Sequence, residues 1–392
     1  MTSRRAIRAV DALGLVTIAA YGSWFYGFGI LVGDMSRDLA VGVGSLGILF
    51  GVTTLVGGLI AIAIGRTLDR HGPRRILVLF GPLSAVLYGA VSFVESAETF
   101  CLLYVTAGGL VSGTGFYSFT QPLVIKIRPD DPMRAVTRLT IWGALASPVA
   151  IPLTEFLRRS VGWRATMRFS GLVLLATFLI AATVTRGLVA TGHRRHSSLH
   201  EIVRVTATSH FLQMYAASLF LSSMSISSLL VFQVPTMKWA GLSAATAASF
   251  AGARGFLQLL GRLPLLPIVM RFGPWRVQRA CRWAIVPGTI ALWFSGSLVF
   301  ATIYAVVIGA SAGALSALDG MVNRDVLPIE NFGTTVALLG FVATVGSALG
   351  PMIAGVVVQF SGSVAFAPGL VVFLATAAAL VQRAAQLARL RS

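Results

Sequence analysis

The chain has 392 residues, of which 56% are hydrophobic and only 11% charged, and its mean hydropathy is +0.83. Soluble globular domains carry about 25% charged residues, so this composition excludes a soluble enzyme or carrier. The formal net charge of +18 would suggest nucleic acid in a soluble chain. Here the basic residues sit in short stretches between apolar runs, which is the pattern of membrane topology, and no nucleic-acid partner is expected.

Apolar runs occupy residues 12–34, 45–65, 76–95, 99–124, 138–157, 166–186, 209–233, 244–269, 280–298, 300–321, 334–358 and 363–384. Each is close to the ~20 residues that cross a bilayer as a helix, and helix is the form that satisfies a lipid-exposed backbone. The first run lacks a small-residue cleavage pattern and is expected to remain as a span. Basic residues alternate between the connections. One side collects Arg4, Arg5 and Arg8, Arg66 to Arg75, Lys126 to Arg138, Arg186 to Arg204, Arg271 to Arg282, Arg324, and Arg383 to Arg391. The other holds Arg37, Arg158, Arg159, Arg164 and Lys238. This bias places both termini in the cytoplasm, and a bacterial inner membrane is the expected location. The two cysteines, Cys101 and Cys281, fall on opposite sides and outside any metal-ligand spacing. No disulfide, metal or cofactor is expected.

The chain repeats itself. Arg70-His71-Gly72-Pro73 returns as Arg271-Phe272-Gly273-Pro274, and Tyr104, Gly109 and Gly113 return as Tyr304, Gly309 and Gly313. The common offset predicts an all-α membrane protein of twelve helices in two pseudo-symmetric six-helix halves, residues 1–187 and 207–392. Such repeats place a substrate site near the bilayer midplane. A polar linker, 188–206, joins the halves, and Ser198 to Glu201 fits a capping box that starts a short helix. His193, His196 and His200 share one face of this region. A solvated or headgroup-facing surface is favoured there over a metal or pH-sensing site.

The connection after the second span reads Gly65-Arg66-Thr67-Leu68-Asp69-Arg70-His71-Gly72-Pro73-Arg74-Arg75. It resembles the cytoplasmic loop motif of the major facilitator superfamily, and Gly162-Trp163-Arg164 between spans five and six adds to the likeness. The resemblance implies that the chain is a secondary transporter with the major facilitator fold. It also implies a cytoplasmic gate formed by Gly65, Asp69, Arg70, Gly72 and Arg74, with Arg271 and Gly273 as the second-half counterpart. Asp69 would brace the positive N-terminal end of the eleventh helix near Gly333 and Thr334. In the second copy Met270 replaces the acid and Leu266 the first glycine, so the two gates are expected to be unequal.

Two arginines lie in the eighth span, where each costs ~2.5–3.5 kcal/mol if left to lipid. Arg254 and Arg262 stand about 80° apart around a helix, with Gln258 between them. The region resembles the monocarboxylate and oxalate/formate branch, which implies that Arg262 binds a carboxylate through its planar fork. That branch's acidic residue stands four before its arginine, where this chain has Gln258, and its first-span lysine is missing. Tyr21, Trp24 and Tyr117 are candidates to wall the substrate cavity, against the simpler reading of interfacial or packing aromatics. The serines from Ser222 to Ser228 in the seventh span read as close helix packing.

Among acids in spans, Asp319 near Arg324 reads equally as proton relay or ion pair, and Glu155 reads as an ordinary pair with Arg159. The fifth span has Ser147-Pro148 without the full drug-antiporter motif. The expected function is proton-coupled transport of a small organic anion by a monomer with membrane lipid and substrate as partners. The alternative is antiport export of a neutral or cationic apolar compound. No catalytic constellation is visible, and an enzyme is not expected.

Overall fold

The computed structural model describes residues 3–187, 198–327 and 331–391, and the regular structure of these residues is helical. The first span is a rod made of α1 (Ser3–Ala20), a π-helical turn (Tyr21–Tyr26) and α2 (Gly27–Asp38), and α3 (Val43–His71) is the second. A π-helical turn (Ile76–Phe80), α4 (Gly81–Ala90) and a short 3-10 turn (Val91–Phe93) form the third. The fourth is α5 (Ala97–Gly115) with α6 (Tyr117–Ile127), followed by α7 (Pro132–Ala144) and α8 (Ala146–Val184). After the short α9 (Leu199–Thr208) come α10 (His210–Trp239), α11 (Ala244–Arg262), α12 (Leu265–Phe272) and α13 (Pro274–Trp293). The last three are α14 (Leu298–Val326), α15 (Phe332–Ser361) and α16 (Phe366–Arg391).

Among the described residues nine helical stretches are long and apolar enough to cross a membrane, and α11 with α12, bent by 51°, makes a tenth. The stretch 132–184 holds two spans, because Gly162 at φ +79 breaks α8 internally. The remaining span is α13, whose Arg276, Arg279 and Arg282 make it less apolar than the others. Twelve spans result, as the hydropathy pattern predicts.

The ninth span starts earlier than expected. The ninth span, expected at 280–298, is helical from Pro274 to Trp293. Pro274 occupies the first helical turn, where its missing N–H costs nothing, so the helix also takes in Arg276 and Arg279, which the expected start left outside.

Two compact units are present: Met1–His196 with Val326–Phe341, and Ser197–Asp325 with Val342–Ser392. Most of the linker, including His193 and His196, lies outside the described residues, whereas His200 is exposed in the first turn of α9. That helix opens with a capping box: Glu201 N donates to Ser198 Oγ (3.0 Å) and Ser198 N to Glu201 Oε2 (3.3 Å).

Within each unit, small residues let helices cross closely, which is how membrane helices pack when burial of apolar surface supplies little drive. In the first unit a Cβ on Gly113 would stand 2.7 Å from Ile60 Cγ2, and one on Gly57 would meet the Ser112 hydroxyl at 1.9 Å, so α5 lies tight on α3. In the second, a Cβ on Gly313 would stand 2.1 Å from the Gln258 carbonyl oxygen, and one on Gly261 would meet the Ala310 carbonyl at 2.0 Å. The repeated glycines 109/113 and 309/313 thus serve the same purpose in both units. Similar contacts join α15 to α10, where Gly346 and Gly350 lie on the carbonyls of Phe220 and Met224. Ser222, Ser225 and Ser228 are buried in α10, consistent with packing.

Gly313→Ala is expected to lower the unfolding temperature, since overpacking costs about 1–3 kcal/mol. Gly355→Ala, with nothing within 4 Å of the added carbon, should be neutral or stabilise by up to about 1 kcal/mol. Thermal unfolding followed by tryptophan fluorescence in detergent checks both.

Candidate functional site

The last turns of α3 place Gly65 and Asp69 on one face, four residues apart. A Cβ on Gly65 would lie 2.4 Å from the Gly333 carbonyl oxygen, so glycine alone admits the contact. The Asp69 side chain is 1% exposed. Its Oδ1 accepts from Gly333 N (3.0 Å) and Lys126 Nζ (2.7 Å). Its Oδ2 accepts from Thr334 N (2.7 Å) and Thr334 Oγ1 (2.8 Å). Since α15 begins at Phe332, these two amides belong to its first turn, where backbone donors lack helical partners and the dipole is positive. Lys126, counted in the sequence only as a topology residue, is the countercharge. One of only two lysines among many arginines, it was the available signal.

Gly72 ends α3 at φ +73, a left-handed conformation that glycine tolerates. Arg70 and Arg74 are exposed around it. The second unit repeats the turn, with Gly273 at φ +80 and Arg271 over the Phe272 ring at 5.3 Å. There Met270 is 72% exposed where the first unit has its buried acid.

Both arginines of α11 are buried, Arg254 to 8% and Arg262 to 4% exposure. Arg254 Nε donates to Gln233 Oε1 (3.0 Å), which also accepts from the Tyr304 hydroxyl (2.7 Å). Arg254 Nη1 is buried and has no hydrogen-bond partner among the described residues. Arg262 Nε donates to the Gly313 carbonyl (2.9 Å) and Nη2 to Ser316 Oγ (2.8 Å). The two guanidiniums therefore engage different groups, Arg254 chiefly on α10 and Arg262 on α14. Gln258, half-buried between them, gives its backbone to the Gly313 crossing.

A polar cluster that sequence reasoning missed surrounds Arg282 on α13. Arg282 is 1% exposed. Its Nη1 donates to Ser218 Oγ, and its Nη2 stands 3.7 Å from Asp319 Oδ1. Gln278 Nε2 donates to the same Asp319 oxygen (2.7 Å), and Gln382 Nε2 donates to Gln278 Oε1 (2.6 Å). One turn further along α14, Asn323 Oδ1 accepts from the Tyr215 hydroxyl (2.9 Å). The expected neighbour of Asp319 was Arg324; the observed ion-pair partner is Arg282. Five residues along a helix turn a side chain about 140° away, whereas Arg282 reaches Asp319 from another helix. Counting Arg282 with the basic residues of the connection hid it, although the span expected at 280–298 includes it. The Asp319 side chain keeps 40% exposure.

Glu155 is held by two guanidiniums. Arg158 donates to it from Nε (2.8 Å) and Nη2 (2.9 Å), and Arg159 from Nε (2.5 Å). Arg158 also donates to Asp34 Oδ2 (2.9 Å), so the expected pair with Arg159 is part of a larger network.

Tyr21 and Trp24 sit in the π-helical turn of the first span, a local irregularity that recurs at functional sites. Tyr21 stacks on Phe116 at 3.8 Å and lies 5.3 Å from Tyr117, so these two tyrosines meet. Trp24 is fully buried and stacked on Phe50 at 4.6 Å, enclosed by neighbours rather than facing open space.

Twelve spans in two units, with ionic and polar groups held inside them, define a multi-pass membrane protein. The chain belongs to the Major Facilitator Superfamily, whose sequence profile matches residues 13–317. Solved structures with similar folds include a variant of the E. coli fucose:proton symporter FucP at 12% identity and TM-score 0.75, covering 97% of this chain and 98% of that one. The proton:xylose symporter XylE shares 14% identity at TM-score 0.72, covering 96% of this chain and 94% of that one. The human organic anion transporter MFSD10 shares 14% identity at TM-score 0.76, covering 98% of this chain and 100% of that one.

Asp69→Asn removes the charge that Lys126 and the α15 amides face. Breaking a buried pair by losing one partner costs about 3–5 kcal/mol. A matching fall in thermal stability is expected, with less than additive loss when Lys126→Met is combined with it.

Proposed function

We propose that the chain is a proton-coupled carrier of a small organic anion, working by alternating access as a monomer in a bacterial cytoplasmic membrane with both termini cytoplasmic. The observation that carries the anion reading is Arg254. It is a buried guanidinium whose assigned partner is the neutral amide of Gln233 and whose Nη1 has no partner among the described residues. A positive charge held in a poorly hydrated interior attracts an anion and repels a cation more strongly than in water. Arg262, eight residues along the same helix, is fixed through Nε and Nη2 by α14. These bonds fix the plane of the guanidinium and so the direction of its charge. Gln258, between the two arginines on the same helix, supplies a neutral polar group beside them.

Asp319 is the proposed proton carrier. It is the acid in the Arg282 cluster, 3.7 Å from Arg282 Nη2 and accepting from Gln278 Nε2 at 2.7 Å. Protonation would release Arg282 from its ion pair and weaken its hold on α14, which couples charge to helix position. Glu155, occupied by Arg158 and Arg159, has the weaker case for that role. Asp69, Gly65, Arg70, Gly72 and Arg74 form the proposed gate, with Arg271 and Gly273 as its simpler second-unit counterpart. The likeness to sugar and organic-anion carriers at 12–14% identity supports a small solute and does not choose among solutes.

The first test is a thermal-shift panel of carboxylates, sugars, amines and lipophilic cations on wild type and Arg262→Gln. A ligand at 100 times its Kd should stabilise wild type by ~2.7 kcal/mol. A carboxylate that shifts wild type and not the variant is the expected result. Equal shifts of both proteins by lipophilic cations would replace the anion reading with export of apolar compounds. In liposomes, Asp319→Asn is expected to abolish uptake driven by a proton gradient while substrate exchange continues. Gradient-driven uptake at the wild-type rate in that variant removes Asp319 from the coupling.

A further inference from the structure

The first unit contains a cavity of about 470 Å³ between the start of the third span and the end of α8, within the size range of ligand sites. Deeper in the unit the two helices touch: a Cβ on Gly81 would lie 2.3 Å from Phe178, and one on Gly171 would meet the Ala85 carbonyl at 2.9 Å. They separate only towards their ends, where His71, Arg74 and Arg186 line the opening and Val78 and Leu179 line the apolar part. No carboxylate is among the described lining residues. Arg5 adds a further charge, donating from Nη2 to the Arg186 carbonyl (2.7 Å). The third span begins its helix at Arg74, so its first-turn amides stand at the same lip.

We infer that this cavity is a binding site for an acidic phospholipid, with the phosphodiester between Arg74 and Arg186 and an acyl chain along Val78 and Leu179. Two features choose a lipid over free phosphate. Val78 and Leu179 are 45% and 48% exposed on membrane-spanning helices, so they face hydrocarbon and demand an apolar partner. The basic groups sit at the ends of those same helices, at headgroup depth, where a guanidinium pairs with phosphate in a forked geometry. Only an amphipathic anion answers both parts at once. The site shares Arg74 with the proposed gate, whereas Arg186 lies outside it, so Arg186→Gln separates the lipid site from the transport reading.

Native mass spectrometry of the full chain, released from nanodiscs of equal phosphatidylglycerol and phosphatidylcholine, tests this. Wild type is expected to retain phosphatidylglycerol selectively. One basic group near a charged membrane surface is worth about fivefold in retention. Arg186→Gln should therefore lose about that factor, and Arg74→Gln/Arg186→Gln more. Arg204→Gln, an exposed arginine on α9, should lose nothing. Added inorganic phosphate should not displace the lipid. Equal retention of both lipids, equal loss in Arg204→Gln, or displacement by phosphate would each overturn the assignment. Arg186 is exposed, so its variant is expected to fold, and an unchanged unfolding temperature in detergent confirms that it has.

Discussion

Every polar group carried into a bilayer must find its partner within the protein, because lipid supplies none. The second unit meets this constraint largely through one helix. From α14 come Tyr304 for the Gln233–Arg254 pair, the Gly313 carbonyl and Ser316 for Arg262, Asp319 for Arg282 and Gln278, and Asn323 for Tyr215. One of these depends on glycine. With Gly313 the α14 backbone comes close enough to α11 for its own carbonyl to accept from Arg262, so the tight crossing and the placement of the arginine have a single cause.

The two units use one repeated turn to different ends. Both close a helix with glycine in the left-handed region, at Gly72 and Gly273, and both keep basic residues around it. Only the first adds a buried carboxylate. Asp69 there satisfies the opening amides of α15 and a lysine together, whereas the second unit places the exposed Met270 at the same position. Two side chains, Met270 for Asp69 and Leu266 for Gly65, leave one turn a clasp and the other a bend.

The fold was legible because its signals are long-range and redundant. Apolar length, alternating basic loops and the repeated glycines each report the same twelve-span layout. Asp69 and its α15 contact were legible through the resemblance of the loop motif. The Arg282 cluster was not. Arg282 counts with the basic connection in a charge tally, and only Gly273-Pro274 marks the true start of the ninth span. Partners across helices, such as Lys126 for Asp69 or Gln233 for Arg254, were also hidden. Membrane helices choose their neighbours by shape, and one sequence carries no register between them. The enclosed position of Trp24 has the same origin: the π-helical turn rotates the ring relative to a regular helix, and nothing in Tyr21–Tyr26 announces it.

The breaking residue Gly162 joins two spans with almost no connecting chain, and three arginines flank it. With both termini cytoplasmic, as proposed, these arginines cross against the usual bias. Each finds an acid at the far side: Arg158 meets Glu155 and Asp34, Arg159 meets Glu155, and Arg164 lies 3.9 Å from Asp38. Asp34 and Asp38 end the first span, so during synthesis they are delivered well before residues 158–164 emerge from the ribosome. The order of translation thus sets out the anions first. The fifth and sixth spans can then arrive as one hairpin whose tip is held on the far side by partners already in place.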